Sequence, residues 1–472
     1  MAGLQGGTLN IAQDPVGSVA PRRSSMMPAK RELSGVLLKS TAVAGLGGLL
    51  FGFDTAVIAG VTKALTALFG LSPANLGLTV AIALWGTILG AVTAGYPGDR
   101  LGRRDSLRVL AILFFVSALG CAVAWDWLSF VSFRFLAGVA IGGSSVLGPM
   151  YIAEIAPAKW RGRLVGFFQF NVVFGILLAY FSNYLIGTFS LGTIEWRWKL
   201  GISSVPAALF FLMLFYIPRS PRWLAKKGRI EEAREVLQLS GDQHVDEDLK
   251  QIVDAIEAER EESKQRLFSR RYRFPVLLAV LVGMFNQLAG INSILYYLND
   301  IFERAGFTKV SGDVQAVIIG ATNLLFTTLA MLVIDKLGRR RMLLIGSVGT
   351  AICLATVAFQ FGTGRYERFL VFPLIAYIAF FAFSQGAVIW VYISEVFPTS
   401  VRAKGQSLGS FTHWFMTAVL SWIFPLLSAH SAAVPFVFFA LMMVVQFFVV
   451  FFVFPETKGI TLEQMEKKLG II

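Results

Sequence analysis

Apolar residues in this chain collect in twelve long runs, and the polar and charged residues lie mainly in the connections between the runs. Most runs contain about 20 residues, the length that an α-helix needs to cross the hydrocarbon core of a membrane. The pattern therefore predicts twelve transmembrane helices, at residues 38–60, 76–98, 106–125, 127–152, 163–187, 197–217, 274–303, 312–335, 341–361, 369–396, 404–428 and 434–454.

The composition supports a membrane protein. Apolar residues make up 56% of the chain and charged residues only 15%, values outside the usual range for a soluble domain. The two cysteines, Cys121 and Cys353, lie in apolar runs and are too few for a disulfide framework or a metal cluster. We therefore expect an all-α membrane protein without a bound metal.

The net charge of +13 is distributed unevenly along the chain. Lysine and arginine are in excess in alternate connections, which marks those connections as cytoplasmic. An even number of spans places both termini on that side as well. The charge therefore reflects membrane topology and does not indicate a nucleic-acid partner. The residues concerned are Arg100, Arg103, Arg104, Lys159, Arg161, Arg163, Lys336, Arg339, Arg340 and Arg341.

Three motifs occur twice, about half a chain length apart. The pairs are 151–161 with 392–402, 99–104 with 335–340, and 218–222 with 455–459. Such a duplication among long apolar runs is typical of a transporter built from two similar halves. The predicted organisation is a disordered cytoplasmic tail at 1–37, a six-helix bundle at 38–217, a cytoplasmic helical linker at 218–273, a second six-helix bundle at 274–454 and a short cytoplasmic tail at 455–472.

An ionisable side chain deep in a membrane span is costly, so each one is a functional candidate. Asp54 lies about 24 Å along the first span and Arg134 about 10 Å down from the opposite end of the fourth, so their depths nearly coincide. We expect the two to pair, either as a static ion pair or as a proton switch. Because arginine keeps its proton, Asp54 would be the residue that carries one.

Two glutamates, Glu154 and Glu395, end their spans beside the basic connections of each half. Each is expected to face the arginine seven residues later and the Asp-x-x-Gly-Arg-Arg motif of its own half. Such ionic clusters hold one conformation and must break in another. The predicted cytoplasmic gate consists of Asp99, Arg103, Glu154, Arg161, Asp335, Arg339, Glu395 and Arg402.

Amide and aromatic side chains recur within several spans of both halves. Amides donate and accept hydrogen bonds at once, which suits the hydroxyls of a sugar ring, and aromatic faces cover its apolar side. For any single amide, a bond between packed helices is an equally good explanation. The whole set favours a solvated polar cavity. No Walker lysine motif or complete dinucleotide fingerprint occurs, so the sequence indicates neither ATP-driven transport nor a cofactor.

The chain resembles the sugar porter family of the major facilitator superfamily over residues 38–460. The matching segments are 47–54, the motifs at Asp99 and Asp335, Arg134 with Gly138, 154–163, 287–297, Trp390 with Glu395, and 455–459. The resemblance implies two bundles that rock about a central monosaccharide site. The sugar contacts implied by it are Gln169, Asn286, Gln287, Asn292, Tyr296, Asn323, Gly386, Trp390, His413 and Trp414.

Three positions depart from the family pattern. Asn286 stands where a glutamine is frequent, His413 where an amide commonly precedes the tryptophan, and Arg219 where Pro-Glu-Ser-Pro-Arg is usual. The first two bear on the identity of the sugar. Arg219 removes a carboxylate from the cytoplasmic cluster and is expected to loosen that gate.

The resemblance also bears on energy coupling, because Asp54 looks like the aspartate of proton-linked bacterial and plant members. We therefore expect a monomeric proton-coupled symporter that imports a monosaccharide across the inner (plasma) membrane. A facilitative uniporter with a structural Asp54–Arg134 pair is one alternative. A transporter-like sugar sensor is another, although only residues 455–472 follow the last predicted span. Glucose, xylose, galactose, arabinose, fructose and inositol all stay open as substrates.

Overall fold

A computed structural model describes residues 34–242, 244–262, 266–460 and 462–471. Residues 1–33 of the predicted tail lie outside this part of the chain. Among the described residues, every regular element is helical, and eleven helices are long and apolar enough to cross a membrane. These findings confirm the prediction of an all-helical membrane protein.

The membrane helices are numbered here as spans 1 to 12. Spans 1 to 6 are Gly35–Val57, Pro73–Thr93, Arg103–Val123, Trp127–Ile155, Ala158–Thr188, and the pair Glu195–Gly201 and Ser204–Met213. Span 7 is the pair Arg273–Leu288 and Ile291–Tyr296, followed by spans 8 and 9 at Lys309–Leu337 and Arg339–Thr363. Span 10 is the pair Val371–Phe383 and Gln385–Glu395, followed by spans 11 and 12 at Arg402–His430 and Ala433–Val453.

Span 6 differs from the single helix predicted at 197–217. It is interrupted between Gly201 and Ser204 and is therefore missing from the eleven long helices. Pro206 has no N–H to donate to the carbonyl of Ile202, and its ring crowds that carbonyl. The hydroxyls of Ser203 and Ser204 instead donate to the carbonyl oxygens of Leu200 and Gly201, each at 2.7 Å.

Span 7 was predicted as one helix over 274–303, but the structure divides this stretch into three. The first break is at Gly290, whose φ of +83° favours glycine. A Cβ atom there would also lie 2.3 Å from the ring of Phe439. A second break at Tyr297 separates span 7 from the short helix Leu298–Arg304. The short segment Ile291–Tyr296 therefore lies between two breaks in the helix.

The two halves contact each other mainly through span 2 against span 11 and span 5 against span 8. Three linker helices follow the first half, at Pro221–Lys226, Ile230–Leu239 and Val245–Glu262. They bury Trp223, Leu224 and Leu237 in an apolar cluster with the first half. The linker therefore covers one end of the bundle, called here the linker end, and the opposite end is called the far end.

Glycines allow spans 2 and 4 to cross with their backbones in contact. A Cβ atom at Gly138 of span 4 would lie 1.9 Å from the carbonyl oxygen of Ala83 in span 2. Gly86 and Gly142 have similarly close backbone neighbours across the same crossing. The crossing depends on these glycines because any side chain would push the two helices apart.

Gly138→Ala is expected to lower thermal stability, because overpacking of this kind costs about 1–3 kcal/mol. Gly162→Ala is the matched control, since nothing lies within 4 Å of a Cβ atom at that helical position. Thermal unfolding of the purified proteins in detergent measures both effects. An equal shift of Tm in the two variants would contradict the assigned role of the crossing.

Candidate functional site

A buried ion pair joins spans 1 and 4. The Nη1 of Arg134 donates to Oδ1 of Asp54 at 2.5 Å. Both residues are buried, with 3% of Arg134 and 7% of Asp54 exposed. The Nε of Arg134 is enclosed without a hydrogen-bond partner among the described residues. The structure thus brings together the two ionisable residues that the sequence placed at equal depth.

A small cavity adjoins this pair. Its wall includes Asp54, Arg134, Thr55 and Thr87 of the first half and Tyr296 of the second half. Tyr296 ends the short segment Ile291–Tyr296, which lies between the two helix breaks of the span 7 region. A short segment of the second half therefore borders the ion pair of the first half.

Amide side chains of the second half form a connected cluster around Gln287. Its Nε2 donates to Oδ1 of Asn286 at 3.0 Å and lies 3.3 Å from Nδ1 of His413. Its Oε1 accepts from Nδ2 of Asn292 at 3.0 Å. Asn286 in turn donates to the carbonyl of Gln385 at 3.1 Å. Spans 7, 10 and 11 therefore bring four predicted polar residues into one network.

Aromatic rings lie beside the amide cluster. The His413 ring is 5.1 Å from Trp390 and 4.9 Å from Trp414, measured between ring centroids. Trp414 is 5.3 Å from Phe51 of span 1, and Phe51 also lines the cavity at Asp54. Phe51 therefore connects the aromatic wall of the second half to the buried ion pair of the first.

The other predicted sugar contacts lie outside this network. Asn323 of span 8 is buried and accepts from the Thr327 hydroxyl at 3.5 Å. Gln169 of span 5 is partly buried. Gly386 directly follows Gln385, whose carbonyl belongs to the network. The hydrogen bonds described for the chain do not join Gln169 or Asn323 to the amide cluster.

The linker end of each half carries the same ionic arrangement. In the first half, Arg103 pairs with Glu154 at 2.8 Å and with Asp99 at 3.0 Å. In the second half, Arg339 pairs with Glu395 at 2.8 Å and with Asp335 at 3.0 Å. These ion pairs join residues within one half.

Arg161, the arginine seven residues after Glu154, occupies a different place from that expected. Arg161 is exposed, and Glu154 is bound by Arg103 and by the hydroxyl of Ser220. Nε of Arg402 donates to the carbonyl of Phe397 at 3.4 Å. The cluster around Glu154 is thus built on the Asp-x-x-Gly-Arg-Arg motif.

Arg219 takes part in an exchange of charge between the two halves. In the second half, Glu456 accepts from the backbone N–H groups of Arg339 at 2.9 Å and Arg340 at 3.1 Å. The matching loop position in the first half is Arg219, which donates to Asp105 at 2.8 Å. The residue after the Asp-x-x-Gly-Arg-Arg motif is Asp105 in the first half and Arg341 in the second. The first half therefore carries its carboxylate on the helix and the second half carries it in the loop. The expectation that Arg219 simply removes a carboxylate was incomplete.

Contacts between the halves close the far end. Glu195, the first residue of span 6, pairs with Lys309 of span 8 at 2.6 Å. The Tyr180 hydroxyl donates to the carbonyl of Leu295 at 2.8 Å, and Trp422 donates to that of Ala74 at 3.2 Å.

These far-end charges were not among the residues predicted from the sequence. Glu195 also pairs with Lys199, which is 1% exposed, and Asp313 accepts from Asn299. Lys199 and Asp313 lie inside predicted spans, at 197–217 and 312–335. The criterion applied to Asp54 would have found them, but they stand close to span ends, where water normally solvates a charge.

Comparison with known proteins agrees with this architecture. Residues 40–469 match the family described as "Sugar (and other) transporter". The D-xylose-proton symporter of Escherichia coli K12 is 35% identical over 92% of this chain and 96% of its own. The arabinose-proton symporter of Bacillus subtilis 168 is 35% identical over 93% of this chain and 97% of its own.

A solved structure gives the same result for the fold. The inward-open xylose transporter XylE of E. coli superposes with a TM-score of 0.82, at 34% identity, over 92% of this chain and 99% of that one. The predicted major facilitator fold is therefore confirmed. The protein is a multi-pass secondary transporter and not an enzyme. It belongs to the sugar porter family of the major facilitator superfamily.

Proposed function

We propose that this protein is a proton-coupled symporter that imports a monosaccharide by alternating access. The observation that carries the proposal is the buried Asp54–Arg134 pair, linked through Phe51 to a wall of amide and aromatic side chains. A titratable carboxylate beside a permanent cation can store a proton, and the amide cluster offers hydrogen bonds to hydroxyls. Relatives named as xylose-proton and arabinose-proton symporters support it.

In the proposed cycle, Asp54 takes a proton from the far side while that end is open. The neutral carboxyl loses its charge attraction to Arg134, so spans 1 and 4 can shift. Phe51 transmits this shift to Trp414 as sugar binds between the halves. Closure of the far end over the sugar then brings Tyr296 beside the ion pair, and the linker end opens.

The sugar is held by residues with distinct tasks. Asn286, Gln287, Asn292 and His413 exchange their mutual hydrogen bonds for bonds to ring hydroxyls. Trp390 and Trp414 cover the apolar face of the ring. The remaining contacts in the proposal are Gln169, Tyr296, Asn323 and Gly386.

The proposed topology follows from the charge pattern and the repeated ionic clusters. The linker end faces the cytoplasm, and both termini lie there. When the far end is open, the clusters around Glu154 and Glu395 lie against each other and hold the linker end closed. When the far end closes, the two clusters move apart. The protein acts as a monomer in the plasma membrane.

The energy available supports accumulation. Movement of one proton charge through 100 mV supplies about 2.3 kcal/mol, which sustains roughly 50-fold accumulation without a pH gradient. A static ion pair would supply none. A uniporter is therefore the second candidate, favoured by the short Asp54–Arg134 contact, which could equally pin spans 1 and 4 together.

Proton movement distinguishes the two candidates. Addition of sugar to energy-depleted vesicles is expected to make the external medium more alkaline as protons enter with sugar. The panel to test is xylose, arabinose, glucose, galactose, fructose and inositol, with sorbitol as a negative control. Sugar entry without any pH change would support the uniporter and contradict the symporter.

A further inference from the structure

The far end of the bundle is held closed by ion pairs between the halves. Lys63, in the helix Thr62–Phe69, pairs with Glu303 of the helix Leu298–Arg304. Glu195 and Lys309 form a second pair across the same junction. These pairs must separate whenever the far end opens. The charge balance at this junction therefore influences which end of the transporter is open.

One carboxylate at the junction has an unsatisfied oxygen. Asp300, in the helix Leu298–Arg304, faces Thr62 of the first half. Its Oδ2 is enclosed and has no hydrogen-bond partner among the described residues. An enclosed oxygen that carries charge without a partner is unfavourable, whereas the protonated carboxyl carries no charge there. Closure of the far end therefore disfavours the ionised form of Asp300, and ionisation of Asp300 disfavours closure.

The charged groups around Asp300 are mostly committed to other partners. On its own helix, Arg304 donates to the carbonyl of Ser428 at 2.7 Å, and Glu303 is paired with Lys63. The 3₁₀ turn Ile58–Gly60, which also packs against this helix, has no titratable side chain.

The two remaining neighbours contribute little compensating charge. On span 8, Lys309 binds Glu195, and Asp313 accepts from Asn299. The segment Ile291–Tyr296 offers only the tyrosine at the cavity of Asp54, and the Tyr297 hydroxyl between the two helices donates to Ser421.

We propose that Asp300 is a second proton-linked residue, which binds a proton as the far end closes and thereby favours the state open at the linker end. This inference rests on the proposed alternating-access function. The proton comes from the far-side solution and returns there on reopening, so it adds nothing to the number carried across. Asp300 is a positioning residue that sets the conformational balance.

The direction of the pH effect follows from linkage. Burial raises the pKa of Asp300 to about 6 in the closed structure, against lowering contributions from Thr62 and Arg304. Asp300 lies beyond the candidate membrane span, which ends at Tyr296. In the open state the side chain is solvated, with an ordinary pKa of about 3.9. The closed state therefore binds more protons between about pH 4 and 6, and it is favoured as the pH falls through that window.

Spin-label distances across the far end test the proposal directly. Leu68 and Val310 are about half exposed on opposite halves, so each can be replaced with a labelled cysteine. The ratio of closed to open protein in lipid nanodiscs is then measured from pH 4.5 to 8 without sugar. The slope of its logarithm against pH gives the number of protons bound on closure.

Asp300→Asn is expected to reduce that slope by about 0.5–0.8 proton between pH 4.5 and 6. Asp300→Glu keeps a titratable group and is expected to retain the wild-type slope. Asp126→Asn is the matched control, because Asp126 is an exposed far-end residue and asparagine caps a helix equally well. It should follow the wild type.

Equal slopes for the wild type and Asp300→Asn would overturn the proposal. So would a wild-type ratio that does not change below pH 6, a result that needs no variant to fold. The measurement does not depend on sugar-linked proton entry. A wild type that fails the vesicle test but shows the slope difference would therefore refute symport and leave the role of Asp300 intact.

Discussion

Replacement of Asp54 by asparagine is expected to abolish accumulation of sugar against its gradient. Asparagine has nearly the same shape and still offers an oxygen to Arg134, so the contact between spans 1 and 4 is retained. It cannot bind or release a proton in the physiological range. At 100 mV the inside-to-outside ratio should fall from roughly 50 in the wild type to equality. Energised vesicles with radiolabelled sugar give this ratio.

Exchange of labelled for unlabelled sugar should remain measurable in Asp54→Asn, because exchange needs rocking of the halves but no net proton movement. Asp126→Asn is again the control, since it makes the same chemical change at an exposed helix cap. Full accumulation by Asp54→Asn would remove Asp54 from the coupling mechanism. Loss of exchange and accumulation together would indicate that the pair is needed for structure.

Gln287→Leu is expected to weaken sugar binding by about 10- to 100-fold. Leucine fills similar space, but it removes the hub that donates to Asn286 and accepts from Asn292. Each hydrogen bond to the sugar that leucine cannot make contributes about 0.5–1.5 kcal/mol to binding. A change of about 1.4 kcal/mol corresponds to a tenfold change in affinity. Sugar-dependent quenching of tryptophan fluorescence measures Kd, since Trp390 and Trp414 adjoin the cluster.

Gln360→Leu provides a control with the same chemistry. Gln360 is a buried amide in span 9, and it donates to the carbonyl of Tyr366 at 3.3 Å. Its replacement is expected to affect stability and leave Kd within about twofold of the wild type. An equal loss of affinity in both variants would mean that Gln287 has no direct part in binding.

Much of the fold follows from the sequence because the membrane restricts the choices. A lipid-exposed backbone must satisfy its hydrogen bonds within a helix, so a long apolar run determines a span. The depths of Asp54 and Arg134 are also predictable, since the rise per residue and the bilayer thickness fix where each lies. The structure places these two side chains in contact.

The details that escaped prediction depend on neighbours in space. The break in span 6 lies beside Pro206 and Ser203, but Pro149 lies inside the unbroken helix of span 4, so a proline alone does not predict a break. Both Arg103 and Arg161 were expected to pair with Glu154, because sequence spacing alone is compatible with either ion pair. In the structure Arg103 forms the pair and Arg161 is exposed. The unsatisfied oxygen of Asp300 is visible only when the elements around it are in place.

The exchanged charges at Arg219 and Asp105 limit how freely segments can be transplanted between relatives. A hybrid that inherits the usual Pro-Glu-Ser-Pro-Arg at 218–222 would set a new carboxylate against Asp105, which now accepts from Arg219. Arg219→Glu alone would set two carboxylates against each other, and Asp105→Arg alone would do so with two guanidinium groups, between span 3 and the loop that follows span 6. The residues at positions 105 and 219 therefore have to be transferred together.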